Sequence, residues 1–220
     1  NTTNIPTLSE DDIRMARAGG ALEFVDTLYN VGVNTLDLEV AKGLDIFGAS
    51  DEGDANLTRA GADPQAWKLN ATLERLQRLT NSVNLLLHAR GQLASHALLS
   101  SEEFGVGGID LGRGFDNSEI IGDDGFAGKA ELRWQEPVTV DQLDTYEVFS
   151  FFDAGRVYND NPTDSDFERD TLTSAGFGAR AQLWDETASA SITVGFPLNR
   201  EPETQDDEGP RVFFSLSKTF

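Results

Sequence analysis

Apolar and polar residues take turns along nine separate segments of this chain, and that period of two excludes most folds before any motif is considered. From Phe126 onward, Phe126, Gly128, Ala130, Leu132 and Trp134 share one parity, while Lys129, Glu131 and Arg133 share the other. Successive side chains of a β-strand point to opposite faces, whereas a helix would scatter this pattern around its axis. The alternation recurs in Leu36, Leu38, Val40, Leu44 and Ile46 against Asp37, Glu39, Ala41, Gly43 and Asp45. It recurs in Trp67, Leu69, Ala71 and Leu73 against Lys68, Asn70, Thr72 and Glu74, and again through 83–93, 174–183 and 188–196. Residues 146–157 (YEVFSFFDAGRV) form a strand with Asp153 set among aromatics; 13–25 keep the parity more loosely, and Val212, Phe214 and Leu216 lead to a terminal Phe220. Two irregularities are expected: Lys42 interrupts an apolar face and should snorkel, and the phase slips near Arg75 and Leu76 as at a bulge.

The connections alternate as well. Those at 30–32, 80–81, 137–141 and 185–186 are short, whereas 47–65, 99–124, 158–170 and 199–210 are long and largely acidic. In an antiparallel meander every second connection lies on the same side, so one rim collects the long loops and the other the tight turns. A soluble sandwich has little reason to sort its loops in this way, and an outer-membrane barrel does. Small residues on several outward faces (Ala179, Ala181, Ala188, Ala190) suit lipid better than water. No run of 18 apolar residues is present, which excludes a membrane helix and not a barrel. The expected fold is therefore all-β, an antiparallel transmembrane β-barrel. A net charge of −21 opposes a nucleic-acid partner, because phosphate would be repelled. With no cysteine there is no disulfide, thiolate nucleophile or thiolate-bound metal.

Between the fourth and fifth strands, Phe104 to Gly114 holds five glycines in eleven residues around one arginine. A loop this rich in glycine is expected to fold back onto something, with Arg113 at its tip. On the wall, Asp153 shares parity with Phe151 and Gly155, so the glycine leaves space beside the carboxylate. Other chemistries lack support. The glycines do not form GxGxxG before a helix, no GxSxG occurs, and the acidic loops do not match the EF-hand spacing. His88 and His96 share parity but lie about 26 Å apart at strand rise, too far for one metal ion. No catalytic, cofactor or metal residue is assigned; Trp67, Trp134, Trp184 and Tyr146 read as girdle or wall aromatics.

The segments SSEEFGVGG (100–108) and GRGFDNSEIIGDDGFAGKAELRW (112–134), together with FFDAGRV and the terminal phenylalanine, resemble the haemolysin secretion/activation family, the TpsB transporters of two-partner secretion. That family belongs to a superfamily that includes BamA and TamA. The resemblance implies a sixteen-stranded barrel whose sixth extracellular loop folds inward and whose loop arginine pairs with the aspartate of FxDxG. Here the tether would be Arg113, Gly114 and Phe115 with Asp153, surrounded by Gly112, Phe151 and Gly155. Nine strands is an odd number, so strands are expected to be missing at the N-terminus, and the POTRA domains with them. The implied function is an outer-membrane pore exporting a large exoprotein; an assembly factor of the BamA or TamA type and a passive porin are the alternatives. The implied partners are the exoprotein client, outer-membrane lipid and lipopolysaccharide, and the assembly machinery, for which Phe220 resembles the insertion signal.

Overall fold

The computed structural model describes residues 9–140, 142–160, 162, 167–202 and 209–219. Eleven strands and no helix occur among them: β1 (Met15–Asp26), β2 (Gly32–Gly43), β3 (Trp67–Arg78), β4 (Val83–Ala94), β5 (Phe104–Val106), β6 (Ile120–Gly122), β7 (Asp124–Val140), β8 (Leu143–Tyr158), β9 (Arg169–Leu183), β10 (Ala188–Pro197) and β11 (Arg211–Lys218). Nine of these form one antiparallel sheet in the order β1-β2-β3-β4-β7-β8-β9-β10-β11, and β5 pairs with β6 as a separate hairpin inserted between β4 and β7. Every connection within the large sheet joins neighbours. The short ones (27–31, 79–82, 141–142, 184–187) and the long ones (44–66, 95–123, 159–168, 198–210) therefore fall on opposite rims, as the sequence implies.

Register carries each face across the sheet, since directly opposed residues project to the same side. One row runs Leu85, Leu132, Ser150, Phe177, Val194, Val212. Its members Leu132, Phe177 and Val212 are 46%, 56% and 60% exposed, alongside exposed Trp134, Phe152, Phe214 and Leu216. Water disfavours a continuous apolar surface of this extent; hydrocarbon wets it without cost. Near the short-turn rim Trp134 packs edge-on against Tyr146 at 5.5 Å between centroids, an aromatic belt position. On β7, β8 and β9 the opposite parity faces a packed interior. The row Glu131, Phe151, Gly176, Gly195, Arg211 belongs to that side and lies under the β5–β6 loop.

Several local expectations are corrected. β2 stops at Gly43, so Leu44 and Ile46 lie beyond it; a side chain at Gly43 would strike the Pro64 carbonyl, and the Leu44 amide is already bonded to the Arg14 carbonyl at 2.8 Å. β3 contains no bulge. It pairs with β2 and β4 without a register shift, and Arg75 keeps its outward parity. What looks like a slip is an outward polar cluster at the short-turn rim. The Arg75 guanidinium donates to both Asp26 oxygens (2.6 and 3.1 Å), to Asn34 Oδ1 and to Gln77 Oε1 (both 2.5 Å). Gly32 lies beside it, and a Cβ there would push the guanidinium aside. β7 continues through Pro137 to Val140 with a register irregularity, which leaves a tighter turn than 137–141, and Gln142 takes φ 79°. Lys42 does reach the rim: its ammonium donates to the Gln65 carbonyl and sits 5.3 Å from the Trp67 ring centre. Phe220 lies outside the described residues.

Candidate functional site: an inserted loop and its charge network

The β5–β6 hairpin and its connecting loop pack on the inner face of the sheet. Phe104, Val106, Leu111, Phe115 and Ile120 from the loop form one apolar cluster with Ala127 of β7, Val157 of β8 and Leu172 of β9. Phe115 and Val157 are fully buried. Burying one large apolar side chain is worth about 1.5–3 kcal/mol, so this cluster favours the inserted position before any charge is considered. The tight path needs two glycines in particular. Gly107 and Gly112 have φ of 130° and 90°, and a side chain on Gly112 would press against Leu172 and the Gly107 backbone.

This fold delivers Arg113 to the wall with 2% exposure, onto an Asp153 with none. The guanidinium forks across the carboxylate: Nε to Oδ2 at 3.0 Å and one terminal nitrogen to Oδ1 at 2.8 Å. The backbone amides of Gly112 and Arg113 also donate to Oδ2, at 3.2 and 3.0 Å, and the Ser174 hydroxyl contributes at 3.4 Å. Paired parallel bonds of this kind fix orientation as well as charge. Beneath the pair, the guanidinium lies 3.5 Å from the centre of the Phe151 ring. Burial by itself would lower the Arg113 pKa, but the Asp153 and Glu131 carboxylates more than offset it, so the side chain holds its proton more firmly than a free arginine.

Glu131 is the residue that sequence reading missed. It is fully buried, accepts from Arg113 at 2.5 Å through Oε2, and accepts from Arg133 (2.8 Å) and Arg180 (3.0 Å) through Oε1. Arg180 also donates to Glu147 at 2.6 Å. Arg113, Arg133 and Arg180 thus face Asp153, Glu131 and Glu147, three cations against three anions. A buried network is tolerable only when its members satisfy one another, and these do. Glycines opposite the aromatics make room for the layer. Phe149 opposes Gly178 and Phe151 opposes Gly176, and a Cβ at either glycine would enter the facing ring. Arg180 stacks on Phe149 at 4.0 Å, as Arg113 does on Phe151.

The family resemblance implies one neighbourhood for Gly112, Arg113, Gly114, Phe115, Phe151, Asp153 and Gly155, and the structure brings all seven together. One detail differs. The space over Gly155 is filled by Val106 of β5, within 2.6 Å of where a Cβ would stand, and not by the guanidinium. Gly114 permits contact of the loop backbone with Phe196 and Pro197, while Gly195 leaves room for the Arg113 carbonyl.

The loop grips the sheet at its edges too. Asp116 forms an ion pair with Arg211 of β11. Glu102 accepts from Lys68 of β3 at 2.5 Å and from Arg17 of β1 at 3.1 Å. A second buried pair ties the long loops to each other. Arg59, from the β2–β3 connection, donates to both oxygens of fully buried Asp123, which also accepts from the amides of Leu98 and Asp160. His88 faces inward beside Glu74 at 3.2 Å, whereas His96 sits past the end of β4 near Asp63.

Comparison with known proteins agrees with this architecture. A family profile described as haemolysin secretion/activation protein ShlB/FhaC/HecB matches residues 14–181. The chain is 29% identical over 183 residues to the outer membrane transporter CdiB of Dickeya dadantii, covering 80% of this chain and 30% of that protein. It is 28% identical over 172 residues to outer membrane transporter CdiB of Escherichia coli, covering 76% of this chain and 27% of that one. The solved structure of CdiB from Escherichia coli superposes with a TM-score of 0.77 at 23% identity, over 96% of this chain and 38% of that chain, a likeness of fold. The chain thus spans about 30% of the length of the curated relatives it matches. With the profile covering most of its strands, the chain belongs to the haemolysin secretion/activation family ShlB/FhaC/HecB of the bacterial outer membrane.

Proposed function

We propose that these residues form the C-terminal wall and the inserted lid loop of an outer-membrane pore that exports a large partner exoprotein. The relatives named outer membrane transporter support the transport reading, and the inserted loop supplies its mechanism. The POTRA domains and the first barrel strands would belong to the longer protein of which this is a part. Its partners would be an extended exoprotein client, the surrounding lipid and lipopolysaccharide, and the assembly machinery that engages the terminal strand.

The observation that carries this reading is the position of Arg113, buried on Asp153 at the inner wall and not exposed at the rim. Arg113 and Asp153 act as a tether. Gly112, Gly114 and Phe115 shape and pack the tip, Phe151 is the platform, and Gly155 admits β5. The tether holds the loop in one geometry while the client passes, so its loss disorders the conduit without removing the barrel. The test uses the full-length transporter with its client. Arg113→Ala and Asp153→Ala should each insert in the outer membrane and lower the client recovered in the medium. Unimpaired export by both variants would refute the tether. An unchanged profile of other outer-membrane proteins in the variant cells separates transport from a barrel-assembly role.

A further inference from the structure

We propose that a cluster of arginines on the outward face of β8 and β9, at the long-loop rim, binds the phosphorylated sugar headgroup of the outer-leaflet glycolipid. It rests on the outer-membrane reading of the outward face and gives the lipid partner a location. Arg156 of β8 opposes Phe126 of β7 on one side and Thr171 of β9 on the other, and Arg169 opposes Tyr158. Register therefore puts Arg156 and Arg169 on the face that carries Phe126, Phe152 and Phe177, beyond the apolar band at the end nearest the long loops. Arg200, from the β10–β11 connection, completes the group, and together with Phe167, Asp170, Thr171 and Asn199 they line a depression of about 420 Å³.

Charge makes the cluster unusual. The chain carries 17 basic and 38 acidic residues, yet three guanidiniums and a single carboxylate line this depression. Asp170 is paired with Arg200. Arg156 uses its Nε on the Thr171 hydroxyl at 2.7 Å, which orients a side chain that lines the depression. Among the described residues neither Arg156 nor Arg169 has a carboxylate partner. A guanidinium facing the apolar side of a barrel is costly at mid-bilayer and inexpensive at the headgroup level, where phosphate supplies the counter-charge. Planar guanidiniums match phosphate oxygens bidentately. The exposed rings of Phe126 and Phe167, 56% and 64% accessible, flank the site where acyl chains meet the headgroup.

The experiment uses the full-length transporter purified in detergent, with bisphosphorylated lipid A as the probe and bound lipid read by native mass spectrometry. Wild-type protein should bind it, and Arg156→Gln/Arg169→Gln should weaken binding roughly thirtyfold. Arg14→Gln/Arg78→Gln, which removes the same charge elsewhere, should leave binding unchanged. Three further arms identify the source of the phosphate. Dephosphorylated lipid A should bind the wild type no better than the double variant, phosphatidylglycerol should bind weakly, and inorganic phosphate at matched concentration should not displace lipid A. Equal binding by wild type and double variant, or displacement by inorganic phosphate, would overturn the site. Among the described residues the Arg169 side chain has no hydrogen-bond partner, so Arg169→Gln alone keeps the test decisive if the double variant misfolds. Client export by the double variant, measured in parallel, should match the wild type. Failure of the wild-type protein to insert in the outer membrane would instead overturn both this site and the reading beneath it.

Discussion

Arg113 and Asp153, forty positions apart, meet through three hydrogen bonds in an interior from which both are excluded from solvent. Two of the three come from the guanidinium fork and one from the arginine's own backbone amide. The contact therefore specifies the loop's path as well as its charge.

A lysine cannot reproduce that fork. Arg113→Lys keeps the charge but loses the paired geometry and the flat stack on Phe151, so it should depress client export nearly as far as Arg113→Ala. Removing one partner of a buried pair typically costs about 3–5 kcal/mol, because the other charge is stranded. Export measured beside heat-modifiability of the barrel will separate loss of the tether from loss of the fold. Wild-type export by Arg113→Lys would show that charge alone suffices.

Glu131 links the tether to the rest of the wall. Glu131→Gln leaves three guanidiniums facing two carboxylates and should loosen the loop without touching Asp153. In a double-mutant cycle with Arg180→Gln the two effects should fail to add, by about 0.5–3 kcal/mol. Additive losses in the thermal midpoint would mean that the contact contributes little.

Glycines on the two faces should respond differently to one methyl group. At Gly176 a Cβ meets the Phe151 ring and the Val194 carbonyl, so Gly176→Ala should lower the unfolding temperature by an amount equivalent to about 1–3 kcal/mol. At Gly128, on the outward face, the nearest atom is the His88 carbonyl at 3.1 Å and the other neighbours are beyond 3.7 Å. Gly128→Ala should be far milder. Equal losses would contradict the assignment of inner and outer faces.

The Arg59–Asp123 pair is predicted to close the loops over the rim. Arg59→Ala should make the 44–66 connection more sensitive to protease on intact cells while the loop tip stays on Asp153. No change in cleavage would remove that role.

Much of this was legible in the sequence, for a simple reason. The period of two survives any register, so the outward parity of Leu132, Phe177 and Val212 could be assigned without knowing which strands pair. Arg75 seemed out of phase because Asp26, which neutralises it, and Asn34, which accepts a hydrogen bond from it, lie on other strands. Glu131 was hidden for a related reason. It shares its parity with Lys129 and Arg133, and only the docking of the loop tip decides which inward charge lies beneath Arg113. The space beside Gly155 was foreseen, but its occupant depends on where β5 settles. Arg59 sits in an irregular polar connection with no local pattern to mark it.

The loop lies inside the wall, and these 220 residues contain no cysteine to compete with an introduced pair. Val106 packs directly over Gly155, close enough for the short Cβ separation that a disulfide requires. In cells producing the full-length protein, Val106→Cys/Gly155→Cys should form an intramolecular disulfide, seen as a linked peptide by mass spectrometry. Two free thiols, both labelled by a membrane-impermeant maleimide from outside the cell, would place the loop outside and contradict the account.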